Sequence, residues 1–166
     1  HLVSEEGTNI IGATFPGSPC VLTGANAFLG WTHTVNYPDK ADVYALEMHP
    51  SKKDVYLVDA EEHRLEKYKA RVYFKFLGMR IPVKKTFYKS IYGPTLKNKT
   101  GVYAVRTPST TNINAIEQWW KMNKAKNFTE FYKALEMKAL PGYNIGYADR
   151  NDTIFYISNG KIPIRA

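Results

Sequence analysis

The amino-acid sequence predicts an α+β fold that is mostly antiparallel sheet, with two helices late in the chain. Short runs of β-branched and aromatic residues, separated by glycine, proline and asparagine turns, fill the first two thirds of the sequence. Helical spacing of apolar residues appears only after residue 112. The last part returns to strand-like alternation on both sides of a polar turn at residues 149–152, which indicates a closing hairpin.

The first third is predicted to be a meander of short strands. A Pro-Gly-Ser-Pro break at residues 16–19 and a predicted turn at residues 24–26 separate its first segments. A loop at residues 36–40 follows the longest apolar run and lies at a strand end, where functional residues often occur. The predicted strands are residues 9–15, 21–23, 27–35 and 42–48.

The middle third is also rich in strand signals. Gly78 lies between two alternating runs and predicts a tight hairpin, whereas Gly93-Pro94 is expected to break the chain. Basic residues tend to alternate along residues 67–76, as on the solvated face of a half-buried strand. The predicted strands are residues 55–58, 66–76, 79–83 and 102–106.

Two helices are predicted after a polar connection at residues 107–111. Ile113, Ile116 and Trp119 have helical spacing, and Asn127 followed by Glu130 resembles a capping box that starts a second helix. Aromatic residues at this spacing are interpreted as core rather than as a cofactor site.

Composition indicates a globular protein. The chain has 166 residues, of which 44% are hydrophobic, and it contains no apolar run of the roughly 20 residues that a membrane-spanning helix requires. Its first residues, His1-Leu2-Val3, resemble the middle of an element, so we expect a piece of a longer protein whose export signal lies elsewhere. The single cysteine, Cys20, excludes an internal disulfide and is interpreted as a small buried hydrophobe.

The net charge of +8 is concentrated in one region. Residues 64–99 contain eleven Lys or Arg and one acidic residue, Glu66. A solvated strand face is one interpretation of this pattern. The alternative is a non-enzymatic binding module that engages nucleic acid or anionic lipid.

The sequence contains no self-sufficient catalytic motif of the GxSxG, HExxH, P-loop or GxGxxG type. Its four histidines show no metal-ligand spacing, and His33 lies within an apolar strand. Asp39 and Asp42 are three residues apart in one loop. They could converge on a hard cation that prefers oxygen ligands, or they could simply be surface charges.

Three motifs in the first third resemble the penicillin acylase family. They are Gly-Ala-Thr-Phe-Pro-Gly-Ser-Pro at residues 12–19, Leu-Thr-Gly-Ala-Asn at residues 22–26 and Trp-Thr-His-Thr-Val at residues 31–35, in the family's order and spacing. Later matches are residues 92–94, 124–128 and 144–149, so the resemblance covers nearly the whole chain. Tyr92 takes the place of the family's usual histidine.

This resemblance implies part of an αββα sandwich of the N-terminal-nucleophile hydrolase type. Residues 1–166 would be a single piece of the catalytic domain in the large (beta) subunit. The nucleophilic serine, whose own α-amine acts as base, would lie upstream of His1, so the piece alone should be inactive. Its partners would be the rest of the beta subunit and the alpha subunit from the same precursor, in an exported, periplasmic enzyme.

The resemblance also implies a substrate class and site residues. The substrate would be a small N-acyl amide, of the penicillin type or an acyl-homoserine lactone; a catalytically degenerate relative is the alternative. The backbone amide of Val35 would supply half of an oxyanion hole, with a distant asparagine beyond Ala166 supplying the other half. Neither an organic cofactor, nor a nucleic-acid partner, nor a membrane span is expected. Thr23, His33 and Tyr143 would line the acyl pocket, and Asp39, the Ala41 carbonyl and Asp42 would bind calcium in calcium-containing members.

Overall fold

A computed structural model describes residues 1–108 and 112–165 of the chain. Part of the predicted polar connection, residues 109–111, therefore lies outside the described residues. The chain forms two compact units, which we call the helix-backed unit (His1–Lys40 and Pro108–Ala166) and the ribbon unit (Ala41–Thr107). No helix within the described ranges is long and apolar enough to cross a membrane.

The elements confirm the α+β prediction, with strands before and after two adjacent helices. In chain order they are β1 (Leu2–Val3), β2 (Asn9–Ala13), β3 (Thr23–Asn26), β4 (Leu29–Val35), β5 (Asp42–Ala45), β6 (Glu47–Met48), β7 (Val55–Val58), β8 (Glu61–Arg64), β9 (Glu66–Phe76), β10 (Met79–Ser90), β11 (Gly93–Lys97), β12 (Val102–Arg106), α1 (Ala115–Lys124), α2 (Phe128–Leu135), β13 (Tyr143–Asp149) and β14 (Ile154–Asn159).

The helix-backed unit is an antiparallel sheet in the order β1-β2-β3-β4-β13-β14. The predicted turn at residues 24–26 is wrong, because these residues belong to β3 and the turn follows them. Gly12 lies opposite Gly24, and the two backbones approach so closely that a Cβ on Gly24 would overlap the carbonyl oxygen of Ile11. The turn at residues 27–28 is held by Asn26, whose Oδ1 accepts from the amides of Phe28 and Leu29 at 2.8 and 3.1 Å.

Both helices cover one face of this sheet, which gives one helix layer and one sheet layer of the predicted sandwich. Asn127 caps α2 as predicted, because its side chain accepts from the Glu130 amide at 2.9 Å. The opposite face of the sheet carries exposed apolar side chains, including Ile11, Ile154 and Tyr156. The core between helices and sheet contains Ile10, Cys20, Leu29, Trp31, Trp119, Met122, Phe131, Leu135 and Ile145.

The ribbon unit contains two antiparallel sheets, in the orders β5-β12-β11-β10-β9 and β6-β7-β8. The strand predicted at residues 42–48 is interrupted at Leu46, whose amide donates to the Val102 carbonyl at 2.8 Å. The break expected at Gly93-Pro94 is wrong, because Gly93 begins β11. At φ +136° Gly93 adopts a conformation that L-residues avoid, and this lets the chain continue into a strand.

The hairpin of β9 and β10 confirms the prediction from Gly78. Leu77 and Gly78 both have positive φ, 47° and 80°, as a two-residue type I′ turn requires. The register pairs Phe76 with Met79 and continues without interruption to the pair of Glu66 and Lys89. The prediction of a half-buried strand is wrong here, because side chains on both faces of β9 are exposed.

A buried carboxylate anchors the base of this hairpin. The side chain of Asp54 is only 1% exposed, and its two oxygens lie 2.6 Å from Lys67 Nζ and 2.7 Å from Lys97 Nζ. These two ammonium groups lower the pKa of Asp54 from 3.8 to about 2. Its ionised form therefore stabilises the folded chain.

Replacing Asp54 by asparagine should lower the free energy of unfolding by about 1–3 kcal/mol at neutral pH, because a charged hydrogen-bond acceptor is lost. Asparagine tolerates the positive φ of 58° at this position, so the backbone is preserved. Since the folded pKa lies below the unfolded pKa, the Asp54 contribution is complete above about pH 4 and disappears as the pH falls towards 2. Thermal melts followed by circular dichroism across this window should show a steeper loss in the unmodified chain than in Asp54→Asn. Equal slopes would contradict this role.

Candidate functional site

Val35, the predicted oxyanion donor, is the last residue of β4. It pairs with Tyr143, the first residue of β13, and its side chain is 76% exposed. The chain that follows is held in place by Asn36, a buried residue whose amide donates to Ser158 Oγ at 2.9 Å. Lys40 Nζ in turn donates to Asn36 Oδ1 at 2.5 Å. Val35 is thus the last residue of its strand, and hydrogen bonds of Asn36 fix the backbone that follows it.

The direction of the Val35 amide follows from the strand register. The carbonyl of Trp31 accepts a hydrogen bond from Thr23 Oγ1 at 3.1 Å and therefore faces β3. Backbone groups alternate between the two sides of a strand, and β4 pairs with β13 without a bulge from residue 29 to residue 35. The Val35 N–H, four residues on, consequently points away from β13. On that side the ladder with β3 ends at Trp31.

His33 and Tyr143, two of the predicted acyl-pocket residues, are in contact on the helix-covered face of the sheet. Their ring centroids are 5.2 Å apart in an edge-on arrangement. Trp119 from α1 completes the group, with its ring centroid 6.2 Å from His33 and 6.3 Å from Tyr143. We call these three residues the aromatic cluster. His33 lies two residues before Val35 in β4, and Tyr143 pairs with Val35 in the neighbouring strand.

The aromatic cluster contains polar atoms whose hydrogen-bonding capacity is not used within the described chain. Both ring nitrogens of His33 and the indole Nε1 of Trp119 are buried and have no hydrogen-bond partner among the described residues. Burial lowers the pKa of His33 from 6.5 to about 4, and the nearby backbone of Leu22 acts weakly in the opposite direction. The imidazole is therefore neutral at pH 7, and it can offer one donor and one acceptor to a ligand.

This burial predicts a pH-dependent contribution of His33 to stability. Since its folded pKa lies below its unfolded pKa, the unfolded chain binds a proton first as the pH falls from 6.5 to about 4. Stability should therefore be highest above pH 6.5 and should decline through this window. Replacing His33 by phenylalanine should flatten the decline measured by urea titration at several pH values. Replacing the exposed His1 by phenylalanine is the control, and an equal effect of the two variants would contradict the prediction.

Thr23, the third predicted pocket residue, lies elsewhere. It is the first residue of β3 and lines an open depression of about 520 Å³ together with Thr32 and Gly146. Since a Cβ on Gly146 would meet Thr32 Oγ1 at 3.0 Å, these residues share the face of the sheet opposite His33. The structure thus brings His33 and Tyr143 together and places Thr23 in a different feature.

The predicted calcium ligands are Asp39, Ala41 and Asp42. Asp39 is exposed and its Oδ2 lies 3.2 Å from the Arg165 guanidinium, which also donates to the Asp39 carbonyl. Asp42 begins β5 and pairs with Arg106. The described residues contain no group of three or more His, Cys, Asp or Glu side chains that could hold a metal ion. Calcium binding stays a prediction.

Trp119 is the residue of the aromatic cluster that sequence reasoning assigned to the core alone. It is indeed 9% exposed and packs in the core. Its unpaired indole N–H distinguishes it from an ordinary core aromatic, because a buried Trp N–H usually finds a partner. Sequence spacing carries no signal of this kind, since the contact with His33 joins residues 86 positions apart.

Comparison with known proteins places this geometry in a family context. The sequence profile described as penicillin amidase matches residues 1–166. The acyl-homoserine lactone acylase PvdQ of Pseudomonas fluorescens (strain Pf0-1) is 27% identical over 172 residues, which cover 98% of this chain and 22% of that protein. PvdQ of Pseudomonas putida is 25% identical over 164 residues, covering 93% of this chain and 21% of that protein.

A solved structure gives the same assignment in three dimensions. The chain superimposes on the thermostable penicillin G acylase of Alcaligenes faecalis with a TM-score of 0.79 and 26% identity, covering 96% of this chain and 29% of that one. The chain spans only about a fifth of the length of these curated relatives. A profile match over residues 1–166 and a superposition that covers 96% of the chain lead to one conclusion: this chain belongs to the penicillin amidase family.

Proposed function

We propose that this chain is part of an acylase that hydrolyses the amide bond of N-acyl compounds, with the Val35 amide stabilising the tetrahedral intermediate. The observation that carries this proposal is the strand register, from which the Val35 N–H points away from β13, on the side where the ladder with β3 has already ended. A preorganised backbone donor at a strand end is the arrangement that oxyanion stabilisation requires.

The reaction would be an acyl transfer in two steps. A serine at the N-terminus of the mature beta subunit, outside these 166 residues, attacks the amide carbonyl while its α-amine takes the hydroxyl proton. The carbonyl oxygen becomes an anion that accepts from the Val35 N–H. Collapse expels the protonated amine and leaves an acyl ester, which water then hydrolyses to release the carboxylic acid. The catalytic contribution of this chain is the stabilisation of negative charge on that oxygen.

The acyl group would lie against the aromatic cluster. His33 and Tyr143 adjoin Val35 on one face, so a substrate whose carbonyl oxygen meets the Val35 amide can extend its acyl chain towards their rings. The neutral His33 ring and the Trp119 N–H would suit an acyl chain that carries a polar atom near the amide. Together with the relatives named acyl-homoserine lactone acylase, this favours acyl-homoserine lactones over penicillins as substrates. Thr23 lies on the face of the sheet opposite His33 and would not contact the acyl chain in this arrangement.

The whole protein would be a heterodimer cut from one precursor and exported to the periplasm. The relatives are about four to five times longer than this chain, which leaves room for the nucleophile, the second oxyanion donor and an alpha subunit. The exposed apolar face of the helix-backed unit, with Ile11, Ile154 and Tyr156, is where the second sheet of the sandwich would pack.

An activity assay tests this proposal directly. The intact, processed protein is incubated with N-(3-oxododecanoyl)-homoserine lactone, whose acyl chain carries a carbonyl near the amide, and with penicillin G, and the released amine is quantified. We expect release from both and a higher kcat/KM for the lactone, with no release by residues 1–166 alone. A correctly processed protein that releases no amine from either substrate would instead identify a degenerate relative.

A further inference from the structure

The hairpin of β9 and β10 extends beyond the rest of its sheet as a two-stranded ribbon. Strand β11 pairs with β10 only from Tyr88 to Ser90, so no third strand from the described part of the chain lies beside residues 68–87. At about 3.3 Å per residue this free part is roughly 30 Å long. A two-stranded hairpin exposed on both faces is only marginally stable in water.

One face of this ribbon is apolar. Alternation along the register places eight apolar side chains on it, each between 38% and 62% exposed, with Ala70 and Lys85 as the one interruption. Leu77 at the tip is 82% exposed. Contiguous exposed apolar surface of this kind marks an interaction site. The eight residues are Tyr68, Val72, Phe74, Phe76, Met79, Ile81, Val83 and Phe87.

The other face of the ribbon is cationic, and its positive charges repel one another. Lys75 lies directly opposite Arg80, and Arg71 lies directly opposite Lys84. Like charges in directly opposite positions destabilise an antiparallel pair. The acidic residue of the hairpin, Glu66, is at the far end beside Lys89. A polyanionic surface would relieve this repulsion.

We propose that this ribbon docks the protein on an anionic phospholipid surface, with the tip and the apolar face entering the lipid and Arg71, Lys75, Arg80 and Lys84 meeting phosphate groups. A lipid bilayer offers an apolar layer and an anionic boundary at once. Nucleic acid would match the cations and leave the apolar face in water. An acidic protein surface would likewise match only the cationic face and would leave the apolar face in water. Lys75 and Arg80 lie directly behind the apolar tip, where the lipid phosphates would be.

Flotation with vesicles tests the proposal on the intact, processed protein, in which surfaces covered by the rest of the protein are not exposed. We expect it to float with vesicles of equal parts phosphatidylcholine and phosphatidylglycerol, and not with phosphatidylcholine alone. Replacing Arg71, Lys75, Arg80 and Lys84 by glutamine should weaken partitioning about tenfold or more, because each basic residue near an anionic surface contributes favourably. The matched control, which removes the same charge from exposed positions elsewhere, should bind like the unmodified chain. It replaces Lys53, Lys99, Lys133 and Lys161 by glutamine.

A second variant separates lipid insertion from simple charge attraction. Leu77→Asn keeps a residue that tolerates the positive φ of the turn, and it should weaken vesicle binding about fivefold while circular dichroism stays unchanged. Absence of vesicle binding, or equal losses in the ribbon variant and the matched control, would overturn the proposal. So would duplex DNA binding that is as tight as vesicle binding and is insensitive to Leu77→Asn.

Discussion

Replacing Val35 by proline should lower the kcat of the intact, processed protein by about 10²–10³-fold, because the substitution deletes the N–H that we propose as one oxyanion donor. Proline removes the N–H and little else here. The Val35 amide faces away from β13, so the ladder with β13 loses no hydrogen bond. The side chain is 76% exposed and leaves no cavity when it is changed.

The matched control is Val35→Ala, which keeps the amide and removes most of the side chain. We expect its kcat to stay within about threefold of the unmodified enzyme, since an interaction made only in the transition state is retained. Kinetics with an acyl-homoserine lactone, together with thermal melts, measure both variants. A stable Val35→Pro enzyme whose kcat equals that of Val35→Ala would contradict the assigned role.

Replacing Asn123 by alanine should have the largest effect on folding, about 3 kcal/mol or more. Asn123 is 2% exposed on α1, where its Oδ1 accepts from the Val21 amide at 2.8 Å and its Nδ2 donates to the Val21 carbonyl at 2.7 Å. Alanine would leave both buried backbone groups unpaired, at about 1–3 kcal/mol each. The segment leading into β3 would lose two of its hydrogen bonds to the helix layer.

Urea unfolding followed by tryptophan fluorescence measures this effect. All three tryptophans, Trp31, Trp119 and Trp120, lie in the helix-backed unit, so their emission reports on that unit. The control Lys121→Ala changes an exposed residue on the same helix and should shift the free energy of unfolding by less than about 0.5 kcal/mol. An Asn123→Ala chain as stable as this control would show that Asn123 does not connect the layers.

The sequence predicted turns and helix starts whose geometry depends on one or two neighbouring residues. Gly78 identified the β9–β10 turn because the required positive φ suits glycine, and Asn127 identified the start of α2 because its side chain caps the first turn. Gly24 and Gly93 misled the same reasoning. At both positions glycine permits a close approach or an unusual φ within or beside a strand, and only the neighbouring strand reveals which use applies.

The candidate site was harder to predict from the sequence, because it depends on contacts between residues that are far apart in the chain. The family motif indicated Val35, but the direction of its amide follows from hydrogen bonds across β3, β4 and β13. Likewise, the family motifs indicated His33 and Tyr143 as pocket residues, but the contact of both rings with Trp119 is visible only in the fold. The basic alternation at residues 67–76 was visible in the sequence. That the apolar side of the same strand is uncovered was not.

A crystal structure of the processed protein with an acyl boronic acid would show whether the Val35 amide binds the oxyanion, because the boronate mimics the tetrahedral intermediate. We expect one boronate oxygen to lie 2.7–3.1 Å from the Val35 nitrogen, a normal distance for an oxyanion donor, with the acyl chain against His33 and Tyr143. A boronate bound elsewhere, or a Val35 N–H already bonded to backbone, would contradict this expectation.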